Sequence, residues 1–521
     1  MVYVDKTRYA FHLASHAGQY LLTRPRRFGN SLLLDTLKSL FEGREELFRG
    51  LYIHDKWDWT RKHPVIKIDF GIGGIHTGAQ LEMYLRDFLQ NQYNKLSIPL
   101  PPEQHITPSL LLRRLIALAA ERFNTPIVIL IDEYDKPLLD NIEKSRELQD
   151  EIREGLRDFY SVIKEQDANL QFVFLTGVSK FSKVSIFSGI NNLKDLSLDP
   201  AMAACCGYTE EDLDLHFSDH LKGVDRELLR TWYNGYNFLG PRVYNPFDIL
   251  LFISNGYSYR SYWFETGTPT FLMKLFQERQ YFLPELENIE ANEQLLSSFE
   301  IDKIEPVTLL YQTGYLTIKD TIDAGMGQLA YRLGFPNYEV KIAFNEYLIG
   351  TYTDITQERF RTQRTIRTVL SQADLPGLEG FVTRLFAGIA HRNYTNNPIS
   401  QFEGYYASVL YAFFASINCM VIPEDIDNQG QADLTVILDN NIYVMEIKVV
   451  DKQKLPENLQ GKPQENLLEQ AGASATSNSA LEQIIARNYA AQYRGQPGKK
   501  VFELGLVFGR QEKNLVQFGW R

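Results

Sequence analysis

Glu446 and Lys448 lie two residues apart near the C-terminus of the 521-residue chain. On a β-strand that spacing puts both side chains on one face. They alternate with Met445, Ile447 and Val449, so a charged pair is set into an otherwise apolar strand, which is costly unless the charges are paired or bind a metal. Asp433 opens the preceding strand, and the turn Asp439-Asn440-Asn441 folds the two into a hairpin that brings Asp433 alongside. Glu403, on the helix before them, adds a fourth polar group. Carboxylates converging beside a cation are what metal-dependent phosphodiester cleavage requires. The acids hold Mg²⁺ (or Mn²⁺) at the scissile phosphate, and the cation serves the attacking water and the developing charge. A Glu-x-Lys triplet alone is common on solvated strand faces; the apolar alternation is what points to a site.

A second group of residues suits phosphate binding. Arg24-Pro25-Arg26-Arg27-Phe28-Gly29-Asn30-Ser31 follows the β-type run Gln19–Leu22 and precedes Leu32, Leu33, Leu34, Leu37, Leu40 and Phe41 at helical spacing. In such a strand-loop-helix setting, backbone N–H groups and the helix N-terminus face phosphate oxygens. Against the pattern G-x-x-x-x-G-K-[ST], Gly29 and Ser31 match, Arg24 replaces the first glycine, and Asn30 occupies the lysine position. A plain loop-to-helix junction would account for this stretch by itself. However, the apolar run Ile127–Ile131 leads straight into Asp132-Glu133-Tyr134-Asp135. One carboxylate at such a strand end can hold Mg²⁺ while the next polarises an attacking water. Thr176-Gly177-Val178-Ser179 ends the next strand with a further polar tip. Three such features in order, each at a strand end, point to a nucleotide site. Arg24, Arg27, Phe28, Gly29, Asn30, Ser31, Asp132 and Thr176 are the candidate ATP contacts. Ser31 and Asp132 are the candidate Mg²⁺ ligands, and Glu133 is the catalytic carboxylate. Asparagine is shorter than lysine and neutral, so hydrolysis is expected to be severely impaired while weak binding survives through backbone donors.

The elements that must position these residues alternate over the first 200 or so residues. Strands are expected at Gln19–Leu22, Val65–Phe70, Ile127–Ile131 and Leu170–Thr176, with a helix over Leu110–Phe123 closed by Asn124-Thr125-Pro126. That alternation predicts a parallel α/β sheet. Residues 207–299 read as mainly helical and aromatic-rich, and 305–345 as a small helix followed by a hairpin, the outline of a winged-helix unit. Helix returns over 345–395. The last module has a helix over Phe402–Ile417, strands at 419–423, 433–438 and 442–449, a helix over Ala480–Tyr493 and a strand over Val501–Phe508. Between them, residues 456–479 are rich in Gln, Gly, Ser, Asn and Ala and read as a flexible surface excursion. The expected domains are 1–205, 206–300, 301–395 and 396–521.

Specific blocks carry a resemblance. Val4-Asp5-Lys6-Thr7, the Arg24–Gly29 loop, Ile131–Asp135 and Thr176–Ser182 resemble the predicted AAA-ATPase-like family of bacterial proteins. So do Gly207–Glu211, Trp232–Tyr236 and Tyr244–Phe247. The family's loop carries lysine where this chain has Asn30. The resemblance implies a P-loop AAA-type sheet, with Thr176 as a sensor near the γ-phosphate, and a nuclease-like part at the C-terminus. Gly430–Leu434, Tyr443–Lys448 and Ala480–Ile484 resemble the PD-(D/E)XK nuclease superfamily, whose restriction-endonuclease-like αβββαβ core has the element order read above. That resemblance implies Asp433 and Glu446 as metal ligands, Lys448 as the residue that orients or activates water, Glu403 as auxiliary, and Gln483 facing the site. Modules of the first kind self-associate, so a homo-oligomer is a family expectation.

Composition narrows the classes. A 44% hydrophobic and 23% charged chain is ordinary for a soluble globular protein. No apolar run reaches membrane-spanning length, and Met1–Lys6 has neither the basic start nor the apolar core of an export signal. Three cysteines, two of them adjacent, argue against a disulfide framework or zinc site and fit a cytoplasmic protein. A net charge of -11 opposes wholesale coating of nucleic acid but leaves room for a local basic groove. The sequence therefore points to a nucleotide-regulated, Mg²⁺-dependent DNA endonuclease in genome defence or mobile-element biology. Two alternatives stand beside it. In one, a non-enzymatic switch, assembly or DNA-binding protein carries a degenerate ATPase; in the other, an active ATPase has a nuclease-like end that only binds DNA.

Overall fold

The computed structural model describes residues 2–102, 106–180, 192–264, 289–297, 305–352, 359–387, 403–417, 419–427, 430–451 and 478–521, with single residues at 187, 190, 286 and 389. Nearly all of the expected excursion at 456–479 lies outside the described residues. The chain divides into two compact units, one of residues 1–271 and 288–339, the other of 272–287 and 340–521.

In the first unit, α1 (Thr7–Ala14) leads into β1 (Gly18–Thr23), the loop 24–29 and α2 (Asn30–Phe41). There follow β2 (Val65–Asp69), α3 (Gly78–Lys95), α4 (Pro108–Phe123), β3 (Ile127–Asp132), α5 (Arg146–Glu165), β4 (Leu170–Gly177) and β5 (Leu193–Asp195). Among the described residues these five strands form one sheet in the order β2-β3-β4-β1-β5, and every pairing is parallel. Every residue of β3 is buried, as its unbroken apolar run requires of a strand covered on both faces. From β1 the chain goes to the far edge, returns strand by strand to β4, and then crosses to β5. Strand order thus reverses at β1, and ligands of open α/β sheets bind beyond the strand ends at such a point.

Around this sheet stand α6 (Glu210–His216), α7 (Arg226–Tyr233), the short pair β6 (Asn234–Tyr236) and β7 (Val243–Tyr244), and α8 (Pro246–Ser254). Lys6 Nζ lies 2.5 Å from Asp212 Oδ2, while Asp5 accepts hydrogen bonds from Thr7 N and Tyr52 N. The Val4–Thr7 block thereby pins the chain's start to α6 and to the segment after α2. The expected helix-plus-hairpin is present as α9 (Pro306–Thr313), β9 (Thr317–Gly325) and β10 (Gln328–Gly334), with an additional strand β8 (Ile289–Asn292) on the outer side of β10.

The second unit contains α10 (Arg359–Gln372), α11 (Leu375–Ala387) and α12 (Glu403–Ser416), then β11 (Met420–Asp427), β12 (Gly430–Leu438) and β13 (Asn441–Val450). It closes with α13 (Ser479–Arg487), β14 (Lys500–Gly509) and β15 (Asn514–Trp520). The sheet runs β11-β12-β13-β14-β15, antiparallel except for the parallel pair β13–β14. Tyr405 to Ser416 of α12 are all buried. The aromatic ring of Tyr406 stacks on Phe508 at 4.1 Å between centroids, so α12 is fixed to the strand beside β13.

Candidate functional sites

The C-terminal group assembles on the middle of that sheet. The last paired position of β12 and β13 is Leu434 opposite Met445, and one step further stand Asp433 and Glu446. Ile447 N donates to Asp433 Oδ2 at 2.7 Å. Gln483 Nε2 on α13 donates to Glu446 Oε1, while Glu446 Oε2 is buried without a hydrogen-bond partner. Each carboxylate thus has one oxygen fixed by a donor and one left for something else. Lys448 Nζ sits 3.2 Å from Glu446 Oε1 and 3.9 Å from Glu403 Oε2, and Val449 N donates to Glu403 Oε1 at 3.4 Å. The four residues read from the sequence, together with Gln483, are therefore brought to one place. The helix that delivers Gln483 is seated by a glycine. A Cβ at Gly505 on β14 would fall 2.3 Å from Leu481 N, and Asn478 both caps α13 and donates to Gly505 O at 3.0 Å.

Burial dominates the electrostatics here. It pushes the Asp433 carboxyl up to about 6, with the Ile447 N–H and Lys448 pulling down and Glu403 and Glu424 pushing up. Glu446 is pushed up to about 7 by burial and by Asp433, against Lys448. Burial disfavours the Lys448 ammonium, but Glu446, Glu403 and Asp433 outweigh it and raise its pKa. Glu424 carries no sequence signal of its own; it is an exposed residue at positive φ on β11, between partly buried Pro423 and buried Asp425.

The donor set fits a hard divalent cation. Among the described residues no three His, Cys, Asp or Glu side chains close around one point. Mg²⁺ commonly binds through one or two carboxylates and completes its shell with water and substrate phosphate, as Asp433 and Glu446 would allow. Metal must displace protons from these two groups. Affinity for Mg²⁺ or Mn²⁺ should therefore rise as pH climbs through the 6 to 7 window and level off above it. Calorimetric titration at about pH 5.5 and about pH 8 should differ by ~10-fold or more, each displaced proton contributing a factor of ten per pH unit below its pKa; equal affinities would contradict the assignment.

The N-terminal group lies at the reversal point of the other sheet. Gly29 (φ 103) caps α2, and Arg27 also has positive φ (66), a backbone setting in which successive N–H groups form an anion nest. Asn30 Nδ2 donates to Gly177 O at the end of β4 (3.4 Å), and Ser31 is exposed on the first turn of α2. Asp132 Oδ1 accepts from Thr176 Oγ1 at 2.7 Å and from Glu133 N at 3.1 Å. Asn30, Asp132 and Thr176 thus meet across the ends of β1, β3 and β4. Glu133 is half-buried beside Gly71. Burial raises its carboxyl above the usual range, opposed by Lys136 and Arg26 and reinforced by Asp132 and Asp135. Asp135 is fully buried and accepts from Ser179 N and Ser179 Oγ, both at 2.6 Å, which ties the end of β3 to the end of β4.

Arg24 and Phe28 shape the loop from inside. Arg24 donates to the carbonyls of Thr23, Ser197 and Met202, and Phe28 packs edge-on to Tyr236 at 4.7 Å. Arg27 lies over the Phe247 ring at 4.0 Å. Phe28 and Gly29 also line a largely apolar cavity of about 100 Å³, together with Tyr3, Val4, Leu33 and Tyr208 among others. The loop also meets α9: a Cβ at Gly314 would lie 2.6 Å from Pro25, and Gln312 Oε1 accepts from Lys180 N at 2.7 Å. No sequence spacing foretells these contacts.

Among the described residues no helix is long and apolar enough to cross a membrane, and Cys205, Cys206 and Cys419 are free thiols. Residues 1–187 match the family described as Predicted AAA-ATPase, and residues 401–518 match the PD-(D/E)XK nuclease superfamily. An uncharacterized protein encoded in the vnfD 5′ region of Azotobacter chroococcum mcd 1 is 45% identical over 517 residues, covering 99% of this chain and 94% of that one. Among solved structures, a Pyrococcus horikoshii signal transduction ATPase with numerous domains and a tetratricopeptide repeat sensor is 13% identical, with TM-score 0.23 over 80% of this chain. The chain spans 57% of that protein's length. The Aeropyrum pernix ORC2 protein is also 13% identical, with TM-score 0.28 over 66% of this chain and 92% of its own. Neither of these two likenesses bears on function. The chain belongs to the same family as the Azotobacter protein, and within it a predicted AAA-ATPase module precedes a PD-(D/E)XK nuclease superfamily module.

Proposed function

We propose that this protein is a nucleotide-regulated, Mg²⁺-dependent DNA endonuclease of the cytoplasm. The observation that carries the reading is the pair Asp433 and Glu446, each with one oxygen held by a donor and one left over, beside the Lys448 ammonium. Ile447 N and Gln483 orient the carboxylates as outer partners orient metal ligands. When bound there, Mg²⁺ or Mn²⁺ supplies Lewis-acid stabilisation of the phosphoryl oxygens and makes an attacking water more acidic. Glu446 and Glu403 keep Lys448 charged and hold it in place, so that its N–H groups can steer the water and meet charge developing on the phosphate. Asp433 and Glu446 must be deprotonated for this, which sets the working pH at neutral or above.

In the front module, the N-terminus of α2 and the nest at 27–29 would receive the nucleotide's phosphates, and the cavity beside Phe28 its base. Asp132, held by Thr176, and Ser31 would share its Mg²⁺. Contacts of α9 with both Pro25 and Lys180 give the nucleotide state a mechanical outlet within the first unit. Asn30 favours a second reading, in which the front module binds without hydrolysis and the protein acts as a switch or assembly factor.

A cleavage panel separates the two. Supercoiled plasmid, linear duplex and single-stranded RNA are incubated with the full chain and Mg²⁺ or Mn²⁺, with no nucleotide, ADP or ATP. Metal-dependent nicking of DNA whose rate responds to ATP is the expected result. Absence of cleavage under every metal and nucleotide condition would leave the binding reading.

A further inference from the structure

We propose that Cys205 and Cys206 form a dithiol site that a hydroperoxide oxidises to an intrachain disulfide, and that closing this bridge loosens the phosphate loop. The second half rests on the nucleotide-binding reading above; the first does not. Both residues are buried, at 2% and 3% exposure, and their sulfurs lie 4.0 Å apart. They line the cavity beside Phe28 and Gly29, which also touches the exposed Val2, Tyr3 and Leu32. The cavity reaches the surface at those three residues, and its volume of about 100 Å³ holds a molecule little larger than water.

The Cys206 thiol holds Cys205 below the ordinary thiol range against burial, and Arg24 and Lys6 add to the effect. Thiolate character is what makes a cysteine nucleophilic toward peroxide. With hydrogen peroxide, the Cys205 sulfur takes one oxygen, the O–O bond breaks, and the other oxygen leaves with a proton as water. Cys206 then attacks the sulfenic sulfur. The S–S bond forms, the S–O bond breaks, and the hydroxyl leaves with the Cys206 proton as a second water. Two thiols are oxidised and one peroxide is reduced.

The pair is built into the wall of the loop. Gly207 N donates to Phe28 O at 3.1 Å, and Arg24 Nη2 donates at 3.1 Å to Met202 O, which also accepts from Cys205 N. On the other side, Tyr208 exchanges both backbone hydrogen bonds with Tyr244 of β7, at 3.1 and 2.8 Å. Disulfides usually span about 4.4 to 6.8 Å between Cα atoms, whereas chain neighbours sit about 3.8 Å apart. Bridging Cys205 to Cys206 therefore reshapes the backbone there. Because β7 holds the next residue, the change falls on the contacts that Met202 and Gly207 make with the loop. Such a bridge is also readily reduced, as a reversible device requires.

The test treats the full chain with hydrogen peroxide and reads its thiols by alkylation and mass spectrometry. The expected product has lost two hydrogens, maps to Cys205–Cys206, keeps Cys419 free and reverts with dithiothreitol. Cys419→Ser should still form the bridge, whereas Cys206→Ser and Cys206→Ala should stop at a Cys205 sulfenic acid. Calorimetric titration with ATP should show ~3- to 10-fold weaker binding by the oxidised chain, about the loss of one hydrogen bond. Peroxide should leave the ATP affinity of Cys205→Ser/Cys206→Ser unaltered. Three free thiols after treatment, or a bridge through Cys419, would overturn the site. Equal ATP affinity of the oxidised and reduced natural chain would overturn the coupling. A reduced chain that binds no ATP would remove the nucleotide reading and the coupling with it, while the mass result decides the dithiol site by itself.

Discussion

Lys448→Ala is expected to slow metal-dependent plasmid cleavage by ~10²- to 10³-fold, the usual loss when one preorganised donor to a transition-state charge is removed. The Lys448 side chain is 28% exposed, so the fold should persist. The change should also leave a signature in the pH profile. Lys448 is one of the groups that pull the Asp433 and Glu446 carboxyls down against burial. Without it both should titrate higher, and the rising limb of the profile should move to more alkaline pH. The rate of nicking measured from about pH 5.5 to about 9 at saturating metal checks both effects. A rate and profile matching the natural sequence would remove Lys448 from the site.

On the proposed reading, Asn30→Lys should raise ATP turnover by ~10²-fold or more, because it would place a cation at the β- and γ-phosphates beside Asp132, which already accepts from Thr176 and from Glu133 N. The substitution loses the hydrogen bond from Asn30 to Gly177 O, a long contact at 3.4 Å that contributes at most about 1 kcal/mol. Steady-state phosphate release from the two proteins gives the comparison. Equal turnover would mean that lysine at this position is not what the loop lacks, and would turn attention to Ser31 or Glu133.

The parts that were legible in the sequence are those fixed by local pattern. The unbroken apolar run of β3 and the apolar alternation around Glu446 and Lys448 identified strands, their burial and the face on which the charges lie. The hairpin turn at Asp439–Asn441 set the register that places Asp433 opposite Glu446. What escaped was set by tertiary partners. Arg24 looks like any loop arginine until Ser197 and Met202 come round to meet it. The expected helix over 480–493 stops at Arg487 because Asn488 turns left-handed (φ 53), leaving only a short 3₁₀ turn over Ala491–Tyr493. Strand β15 was missed because it is a half-exposed edge strand with no clean alternation. The donor from Ile447 to Asp433 is invisible for a different reason: backbone N–H groups are the same at every position.

The parallel pairing of β13 with β14 has a consequence for the order of synthesis. Asp433, Glu446 and Lys448 have all left the ribosome long before Lys500–Gly509 can dock beside them, and Gln483 arrives on the crossover between. A parallel neighbour cannot be supplied by a tight hairpin and must wait for distant chain. A nascent polypeptide therefore carries the acidic pair with one flank of its strand bare and no amide from Gln483 on Glu446. The C-terminal constellation is complete only after Lys500–Gly509 has been made and has docked beside β13.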